Sequence, residues 1–365
     1  MSKVYFTDMR TSFTENLPKK LTRLIDRAGL GTIDFDHKFV AIKIHFGEMG
    51  NLAYLRPQYA RALAAYIKER GGLPFLTDCN TLYVGSRKNA LEHIETAYIN
   101  GYTPYATGCQ VIIADGVRGT DEAYIPIGCE EVKTAKIGRA IADADIIISL
   151  NHFKGHEDAG FGGALKNLGM GSGSRAGKME MHYDGKPVVD RDRCRGCRKC
   201  ATICANDGIH YESNKAVIDH DNCVGCGRCI AICSFDAIKP HNSSSAASLN
   251  RRIAEYAYAV VKDKPNFHIS IAADISPNCD CHPENDAPIV PNIGMFASFD
   301  PVAIDLAAAD AVNAMPANPR SALSEAECRC HDHFINVHPN TNWRVQIEHG
   351  EEIGLGSSEY ELIRI

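Results

Sequence analysis

The sequence has no long apolar run and no excess of positive charge. No window approaches the roughly 18 consecutive apolar residues that a membrane-spanning helix needs. The opening residues, MSKVYFTDMRTSF, lack the apolar segment of a secretory signal peptide. With 39 Lys and Arg against 45 Asp and Glu, the net charge of −6 argues against nucleic acid or an anionic membrane as the main partner. We therefore expect a cytoplasmic protein that binds neither nucleic acid nor membrane.

Cysteine, in contrast, is abundant. The 365 residues include 15 cysteines, and in a reducing cytoplasm this number indicates metal ligands or redox groups before disulfides. The rest of the composition, 45% hydrophobic and 23% charged, is ordinary for a globular protein. The cysteines are therefore the first candidates for function.

Apolar, β-branched segments alternate with helical patterns along most of the chain. The run KFVAIKIHF (38–46) is typical of a buried strand, and a helix is predicted from Pro57 to the Gly71–Gly72 pair. Further strands are predicted at LPFLTD, CQVIIADG, ADIIISLNH and FHISIAADIS, and further helices at LNRRIAEYAYAVV and, with Asp300 as N-cap, at FDPVAIDLAAADAVNA. This alternation predicts an α/β fold with a mostly parallel sheet covered by helices.

Polar motifs follow three of the predicted strands at the points where the strands end. They are HFGEMGN (45–51), TDCNTLY (77–83) and NHFKGH (151–156). Because ligands of such sheets bind at the carboxyl ends of the strands, we expect these loops to converge on one site.

The stretch HFKGHEDAGFGGALKNLGMGSGSRAGK (152–178) contains eight glycines and four basic side chains. It is not a P-loop, because Ser172 takes the place of the first glycine and Met179 that of the Ser or Thr. The dinucleotide motif GxGxxG fails at Ala176. Apolar residues at helical spacing within FGGALKNLGMG predict a short packed helix rather than a linker.

We interpret this stretch as the lining of a ligand pocket at the sheet edge. Glycines let the backbone approach a ligand closely, and the basic side chains would balance a small anion. Reduction also requires protons, for which the stretch and its flank offer histidines, although each histidine alone can be structural. The predicted catalytic residues are His156, His182 and Lys166, and the predicted cofactor-binding residues are Lys154, Lys178, Gly162, Gly163 and Arg175.

Eight cysteines form two similar runs that start 29 residues apart. The runs are CRGCRKCATIC and CVGCGRCIAIC, each with the spacing CxxCxxCxxxC. A tight CxxCxxC turn supplies three thiolates of a [4Fe–4S] cluster and a distant cysteine supplies the fourth, whereas zinc sites use CxxC pairs separated by longer gaps. The sequence therefore predicts two [4Fe–4S] clusters.

These runs resemble those of the bacterial two-cluster ferredoxins, in which the fourth cysteine of each run serves the other cluster. The resemblance implies one cluster on Cys194, Cys197, Cys200 and Cys233, and a second on Cys223, Cys226, Cys229 and Cys204. Proline usually follows the fourth cysteine in that family, but Ala205 and Ser234 stand there in this chain. Proline is not a ligand, so the departure concerns the local turn and leaves the cluster prediction unchanged.

Two further cysteine pairs lie in the C-terminal part. The motifs CDCH (279–282) and CRCH (328–331) each offer two thiolates and an imidazole, enough for another metal site if the segments meet. Cys279 and Cys281 are the predicted ligands of this additional metal. The alternative is two unrelated thiol pairs in loops.

Several long motifs resemble those of the family called domain of unknown function 362, in its ferredoxin-containing form. They are KIHFGE, NHFKGHEDAGFGGALKNLGMG and CDCHPENDAPIVPNIGMFASFDPVAID, together with the ferredoxin-like insert. The resemblance implies an α/β domain with an iron–sulfur module, and it supplies no catalytic residues. We expect residues 1–186 and 241–365 to form the α/β domain and residues 187–240 to form the two-cluster module.

These features together favour an oxidoreductase. Electrons would pass through two [4Fe–4S] clusters to an anionic substrate or second cofactor in the pocket, and the protein partner would be a low-potential electron donor or acceptor. Two alternatives stay open: a non-catalytic ferredoxin-type electron-transfer protein, and a metal- or cluster-handling protein that uses the CDC and CRC thiols.

Overall fold

The computed structural model of the chain describes residues 1–83, 85–183, 186–223, 225, 227–240, 246–327 and 330–365. Its strands are β1 (Ser2–Asp8), β2 (Phe39–Lys43), β3 (Leu73–Asp78), β4 (Gln110–Ile113), β5 (Glu122–Pro126), β6 (Thr134–Gly138), β7 (Ile146–His152), β8 (Lys154–His156), β9 (Gly160–Gly162), β10 (Pro187–Val189), β11 (Ile209–Glu212), β12 (Lys215–Ile218), β13 (Ile238–Pro240), β14 (Asn266–Ala272), β15 (Gly294–Ser298) and β16 (Tyr360–Arg364). Its helices are α1 (Leu17–Arg27), α2 (Pro57–Lys68), α3 (Ala90–Ile99), α4 (Pro104–Thr107), α5 (Arg139–Asp143), α6 (Ala164–Ser172), α7 (Arg175–Tyr183), α8 (Lys199–Ile203), α9 (Arg228–Ile232), α10 (Ala246–Val261), α11 (Pro301–Asn313), α12 (Ala322–Glu325), α13 (His333–Val337) and α14 (Arg344–Glu352).

Eight strands form the main sheet, in the order β16–β1–β15–β14–β7–β2–β3–β4. Strand β15 runs antiparallel to both of its neighbours, and every other neighbouring pair is parallel. Side chains of β7 alternate between the two faces, with Ile147 in one hydrophobic core and Ile146 and Ile148 in the other. Both faces of the sheet are therefore buried, and the predicted α/β fold is confirmed.

Helices cover each face. Leu165 of α6, Ile253 of α10 and Ile304 of α11 belong to the core on one side of the sheet. Leu24 of α1 and Leu63 of α2 belong to the core on the other side. Within the described part of the chain, no helix has both the length and the apolar character needed to cross a membrane.

Several local predictions are confirmed by the structure. Helix α2 begins at Pro57, as predicted, and α6 is the short helix expected within the glycine-rich stretch. The Asp300 side chain accepts hydrogen bonds from the backbone N–H groups of Val302 and Ala303, so it is the N-cap of α11. The antiparallel strand β15 was not predicted as a strand.

Residues 187–240 form small sheets of their own. Strand β10 pairs with β13 and β11 pairs with β12, both antiparallel. A separate hydrophobic cluster joins Cys194, Cys200 and Cys229 to Leu82 and Met179 of the surrounding chain. Residues 241–245 lie outside the described residues, and the proposed domain division stays a prediction.

Candidate functional site

A cavity of about 330 Å³ lies at the carboxyl ends of β2, β3 and β7. Lys43, Asp78 and His152 are the last residues of these strands, and all three line the cavity. The loops that follow contribute further residues, among them His45 and Thr81. The expectation that three polar loops converge at one sheet edge is therefore confirmed.

The glycine-rich stretch and the CDCH turn complete the wall. Six predicted residues of the stretch and its flank line the cavity with both CDC cysteines: Lys154, His156, Gly163, Lys166, Lys178, His182, Cys279 and Cys281. Gly162 does not line the cavity but lies next to Lys154, which does. A Cβ atom added at Gly162 would come within 2.9 Å of the Lys154 ammonium nitrogen.

Arg175 is placed differently. Its side chain is buried but does not line the cavity. Its guanidinium donates hydrogen bonds to the backbone carbonyls of Lys88 and Arg118. The structure therefore does not bring Arg175 together with the pocket lysines, and its contacts connect neighbouring loops.

Two basic side chains at the cavity are paired with buried carboxylates. Lys43 Nζ lies 3.0 Å from Asp78 Oδ1, and Arg87 Nε lies 3.1 Å from Glu48 Oε2. Burial is the largest influence on Asp78 and opposes its ionisation, but the neighbouring basic side chains, Lys43 the strongest of them, together hold the pKa of Asp78 below its usual value. Burial and the Arg87 charge lower the pKa of His45 to about 3, so this imidazole is neutral.

Three other lysines carry the excess charge of the cavity. Its lining contains five Lys and Arg side chains against three carboxylates, those of Asp78, Glu157 and Asp158. Among the described residues, Lys154, Lys166 and Lys178 have no carboxylate partner, although Lys178 donates to the Gly173 carbonyl at 2.6 Å. Lys154 and Lys178 are buried, and a buried cation without a counter-ion favours the binding of an anion.

The CDCH segment is a tight turn whose sulfur atoms face these lysines. The backbone N–H of His282 donates to the Cys279 carbonyl at 3.1 Å. Lys166 Nζ lies 3.7 Å from Cys279 Sγ, and the two cysteine sulfurs lie within 4.8 Å of each other. The side chain of Asp280, between the two cysteines, instead accepts a hydrogen bond from His152 Nδ1 at 2.9 Å.

The two thiols differ in protonation. A hydrogen bond from Cys281, together with the Lys166 and Lys154 charges, holds the pKa of Cys279 well below its ordinary value in spite of burial. The same hydrogen bond and burial raise the pKa of Cys281 well above its ordinary value. Burial is the largest influence on Lys166 and opposes its charge, but the neighbouring Cys279, Cys281 and Glu157 side chains together raise the pKa of this lysine. Of the two sulfurs, Cys279 is therefore the one that favours the thiolate form.

His156 turns its proton toward this pair. Its Nδ1 accepts hydrogen bonds from the backbone N–H groups of Asp158 and Ala159, at 3.0 and 3.1 Å. In a neutral imidazole the proton is then on Nε2, and the ring also hydrogen-bonds to Cys279. Because a ring nitrogen lies within 4.8 Å of both sulfurs, His156, Cys279 and Cys281 could hold a metal ion.

His182, the other predicted proton donor, lies half-buried in the cavity wall. Burial and the charge of Lys166 lower the pKa of His182 to about 3. The imidazole is therefore neutral near pH 7, and any proton it supplies comes from a neutral ring.

The CRC cysteines are not part of this wall in the described part of the chain. Cys330 donates to the side-chain oxygen of Asn336 at 3.0 Å and does not line the cavity. Cys328 lies outside the described residues.

The sequence did not indicate the ion-paired residues around the cavity. Lys43, Asp78 and Arg87 line the cavity, and the His152–Asp280 pair supports the CDCH turn. One signal was available: Lys43 interrupts the apolar run FVAIKIHF, and a lysine in a buried strand needs a partner.

The cysteines of the two runs line two small cavities. Cys194, Cys197, Cys200 and Cys233 line the first. Cys204, Cys223 and Cys229 line the second, and Cys226 lies outside the described residues. Backbone N–H groups of Ala216 and Ala237 donate to the sulfurs of Cys194 and Cys233, at 3.4 and 3.3 Å. Each cavity thus combines cysteines of both runs.

Residues 40–310 match the family described as Domain of unknown function (DUF362), and the chain belongs to this family. A comparison with curated proteins gave no match.

Among solved structures, the chain is similar to the lactate racemase apoprotein from Thermoanaerobacterium thermosaccharolyticum, with 11% identity, a TM-score of 0.40, and coverage of 75% of this chain and 51% of that chain. It is also similar to a structural-genomics target from Thermotoga maritima, with 12% identity, a TM-score of 0.36, and coverage of 70% and 49%. The chain spans about half the length of each of these proteins.

Proposed function

We propose that this chain is an iron–sulfur oxidoreductase. It would relay electrons through two [4Fe–4S] clusters to an anionic substrate or second cofactor in the cationic cavity. One residue, Leu82, connects the two parts of the proposed path, and this observation carries the proposal. Leu82 packs with cysteines of the two runs and also lines the cavity.

The cysteine cavities suit iron–sulfur clusters. Each cavity offers sulfur ligands from both runs, and backbone N–H groups donate to several of these sulfurs, an interaction that tunes bound clusters. A single zinc ion would need its sulfurs about 4 Å apart, given Zn–S bonds of about 2.3 Å. The groups of described ligand atoms that lie within 4.8 Å of one another all belong to the CDCH region and its neighbours, not to the module.

Clusters in these two cavities would supply one-electron transfer and a path from the protein surface to the cavity. The chain's own residues would do the rest. Lys154, Lys166 and Lys178 would bind and orient the anion, because the described residues offer them no carboxylate. His156 carries a proton on the nitrogen that is not bonded to the backbone, which makes it the better placed of the two predicted proton donors.

The protein partner would be an acidic, low-potential electron carrier. Five basic residues at 191–199 are exposed around Cys197, which is itself exposed: Arg191, Arg193, Arg195, Arg198 and Lys199. This segment contains only one acidic residue, Asp192. A positive patch on a chain with a net charge of −6 would attract an acidic partner to the first cysteine cavity.

The two alternatives are less well supported. A pure electron carrier has no need of a buried cationic cavity behind its clusters. A metal held at the CDCH turn through His156 conflicts with the hydrogen bonds of that ring, because metal-bound histidines usually donate their other ring N–H rather than accept there.

The cluster assignment is tested by iron and sulfide analysis of protein purified without oxygen. Cys200→Ala should lose up to half of the iron, because Cys200 lines the first cavity. Cys109→Ala is the matched control, since Cys109 is a buried free thiol that lines neither cavity. Unchanged iron in Cys200→Ala would refute the ligand assignment.

A further inference from the structure

The CDCH turn arranges two cysteine sulfurs so that both face the cavity. Asp280, between them, is directed to His152, and the hydrogen bond from His282 N–H to the Cys279 carbonyl closes the turn. The two sulfurs lie within 4.8 Å of each other, and both cysteines line the cavity. Neighbouring sulfurs of this kind can form a reversible disulfide.

The surroundings of the pair suit thiol–disulfide exchange. Lys166 Nζ lies 3.7 Å from Cys279 Sγ, which makes Cys279 the attacking sulfur. Cys281 is only partly buried and lies beside Cys279, where a resolving thiol is needed. Lys154 and Lys178 add positive charge on the same cavity wall, so an incoming disulfide that carries carboxylates or phosphates would be preferred over an uncharged one.

A resident metal fits this site less well. His156 Nδ1 accepts two backbone N–H groups, which leaves the proton on Nε2. Ligation through Nε2 would leave the ring proton on Nδ1, where it would face the two backbone N–H donors. The His156 ring, with its proton on Nε2, can instead donate a hydrogen bond to a thiolate at Cys279.

From this geometry we infer that Cys279 and Cys281 form a redox-active pair that takes electrons from the cysteine module and reduces a small anionic disulfide in the cavity. The inference rests on the proposed function for its source of electrons. Beyond that function, it names the group in this chain that accepts the electrons, the Cys279–Cys281 pair, and the class of substrate, an anionic disulfide.

The reaction balances in two stages. The Cys279–Cys281 disulfide accepts two electrons, one at a time, and one proton; the proton goes to Cys281 and Cys279 remains a thiolate beside Lys166. The Cys279 thiolate then attacks the anionic disulfide RSSR, which forms a mixed disulfide and releases RS⁻. Cys281 attacks the Cys279 sulfur, restores the internal disulfide and releases RSH with its own proton. The sum is RSSR + 2e⁻ + H⁺ → RS⁻ + RSH.

A single-turnover experiment tests the pair. Iron-loaded protein is reduced with dithionite, freed of excess reductant without oxygen, and mixed with the anionic dithiobis-nitrobenzoate. The wild-type pair should release two nitrobenzoate thiolates and end as a Cys279–Cys281 disulfide, located by peptide mass spectrometry. Cys281→Ser should release one and retain a mixed disulfide on Cys279. The anionic probe should also react at least tenfold faster than uncharged dithiodipyridine, after each rate is divided by that of a small free thiol.

The source of electrons is tested separately. The oxidised protein is treated again with dithionite, and recovery of the dithiol is compared between wild type and Cys200→Ala. Slower recovery in the variant supports the relay. Equal recovery overturns the relay while the dithiol chemistry stands.

Two other outcomes overturn the dithiol itself and leave the cluster proposal untouched. One is full iron content with no adduct or disulfide at Cys279. The other is a stoichiometric metal that must be chelated before Cys279 reacts.

Discussion

Lys166 is a half-buried lysine whose ammonium nitrogen lies 3.7 Å from the Cys279 sulfur. It occupies the glycine-rich stretch, where the sequence predicted anion-binding lysines, and it lines the cavity. Its partner was not foreseen, because Cys279 is more than a hundred residues away in the sequence. Contacts over such separations are set by the order of strands in the sheet, which a single sequence does not reveal.

Replacing Lys166 by Ala should reduce the preference of Cys279 for anionic reagents. Wild-type Cys279 should react faster with iodoacetate than with uncharged iodoacetamide, relative to a free thiol. Loss of a charge-assisted hydrogen bond of about 1.5–3 kcal/mol should lower that preference about tenfold or more. Peptide mass spectrometry gives the two rates at Cys279.

The control for this experiment is Lys3→Ala, which removes an exposed lysine in β1. An unchanged preference in Lys166→Ala would mean that the lysine does not bind anions, and loss of iron would mean that it is structural.

For helix α6, the sequence pattern predicted the helix but not the group that caps it. Its apolar spacing predicted a packed helix, and α6 is present. The cap was not predicted: Asp305 of α11 accepts hydrogen bonds from the backbone N–H groups of Ala164 and Leu165, at 2.6 and 2.9 Å. A Cβ atom at Gly163 would lie 2.3 Å from Asp305 Oδ1, which explains the glycine at the start of α6. A cap supplied by a distant helix leaves no local sequence signal.

Asp305 should make stability depend on pH. Burial raises its pKa to about 7 in the folded chain, from 3.8. The folded state therefore favours the protonated carboxyl. This contribution to stability is complete below pH 3.8 and is lost as pH rises through 7. Urea unfolding without oxygen should show that the free energy of unfolding of the wild type falls between pH 5 and 8. The fall should be smaller in Asp305→Asn.

Equal pH slopes in the two proteins would contradict this assignment. A lower stability of Asp305→Asn at every pH would not contradict it, because the amide replaces one of the two hydrogen-bond acceptors. Only the difference between the two pH slopes reports the titration of Asp305.

At the scale of the whole molecule, the fold class followed from alternation of strands and helices, whereas strand order and the antiparallel β15 did not. The loops of three strands met at one edge because the carboxyl ends of parallel strands share an edge. Arg175 shows the limit of that argument, since proximity in sequence to Lys178 did not place it in the cavity.

The distribution of charge over the molecule predicts how a partner docks. Arg195→Glu combined with Arg198→Glu reverses part of the exposed basic patch around Cys197. Reduction by an acidic ferredoxin should slow at least tenfold at low salt and lose its salt dependence, while reduction by dithionite should not change. Stopped-flow absorbance of the clusters measures both rates.

Lys3→Glu combined with Lys38→Glu changes the net charge equally at exposed positions outside the module. If this control slows reduction as much as the patch variant, net charge and not the patch steers the partner.

The central claim is that this chain holds two [4Fe–4S] clusters beside a cavity that binds an anion. Native mass spectrometry of protein purified without oxygen tests it most directly, because the mass of one ion reports clusters, other metals and bound organic molecules together. The ion should show a mass excess of two [4Fe–4S] clusters, with any further mass belonging to an anionic molecule. A chain that carries no iron, or only single metal ions at the two cysteine runs, would contradict it.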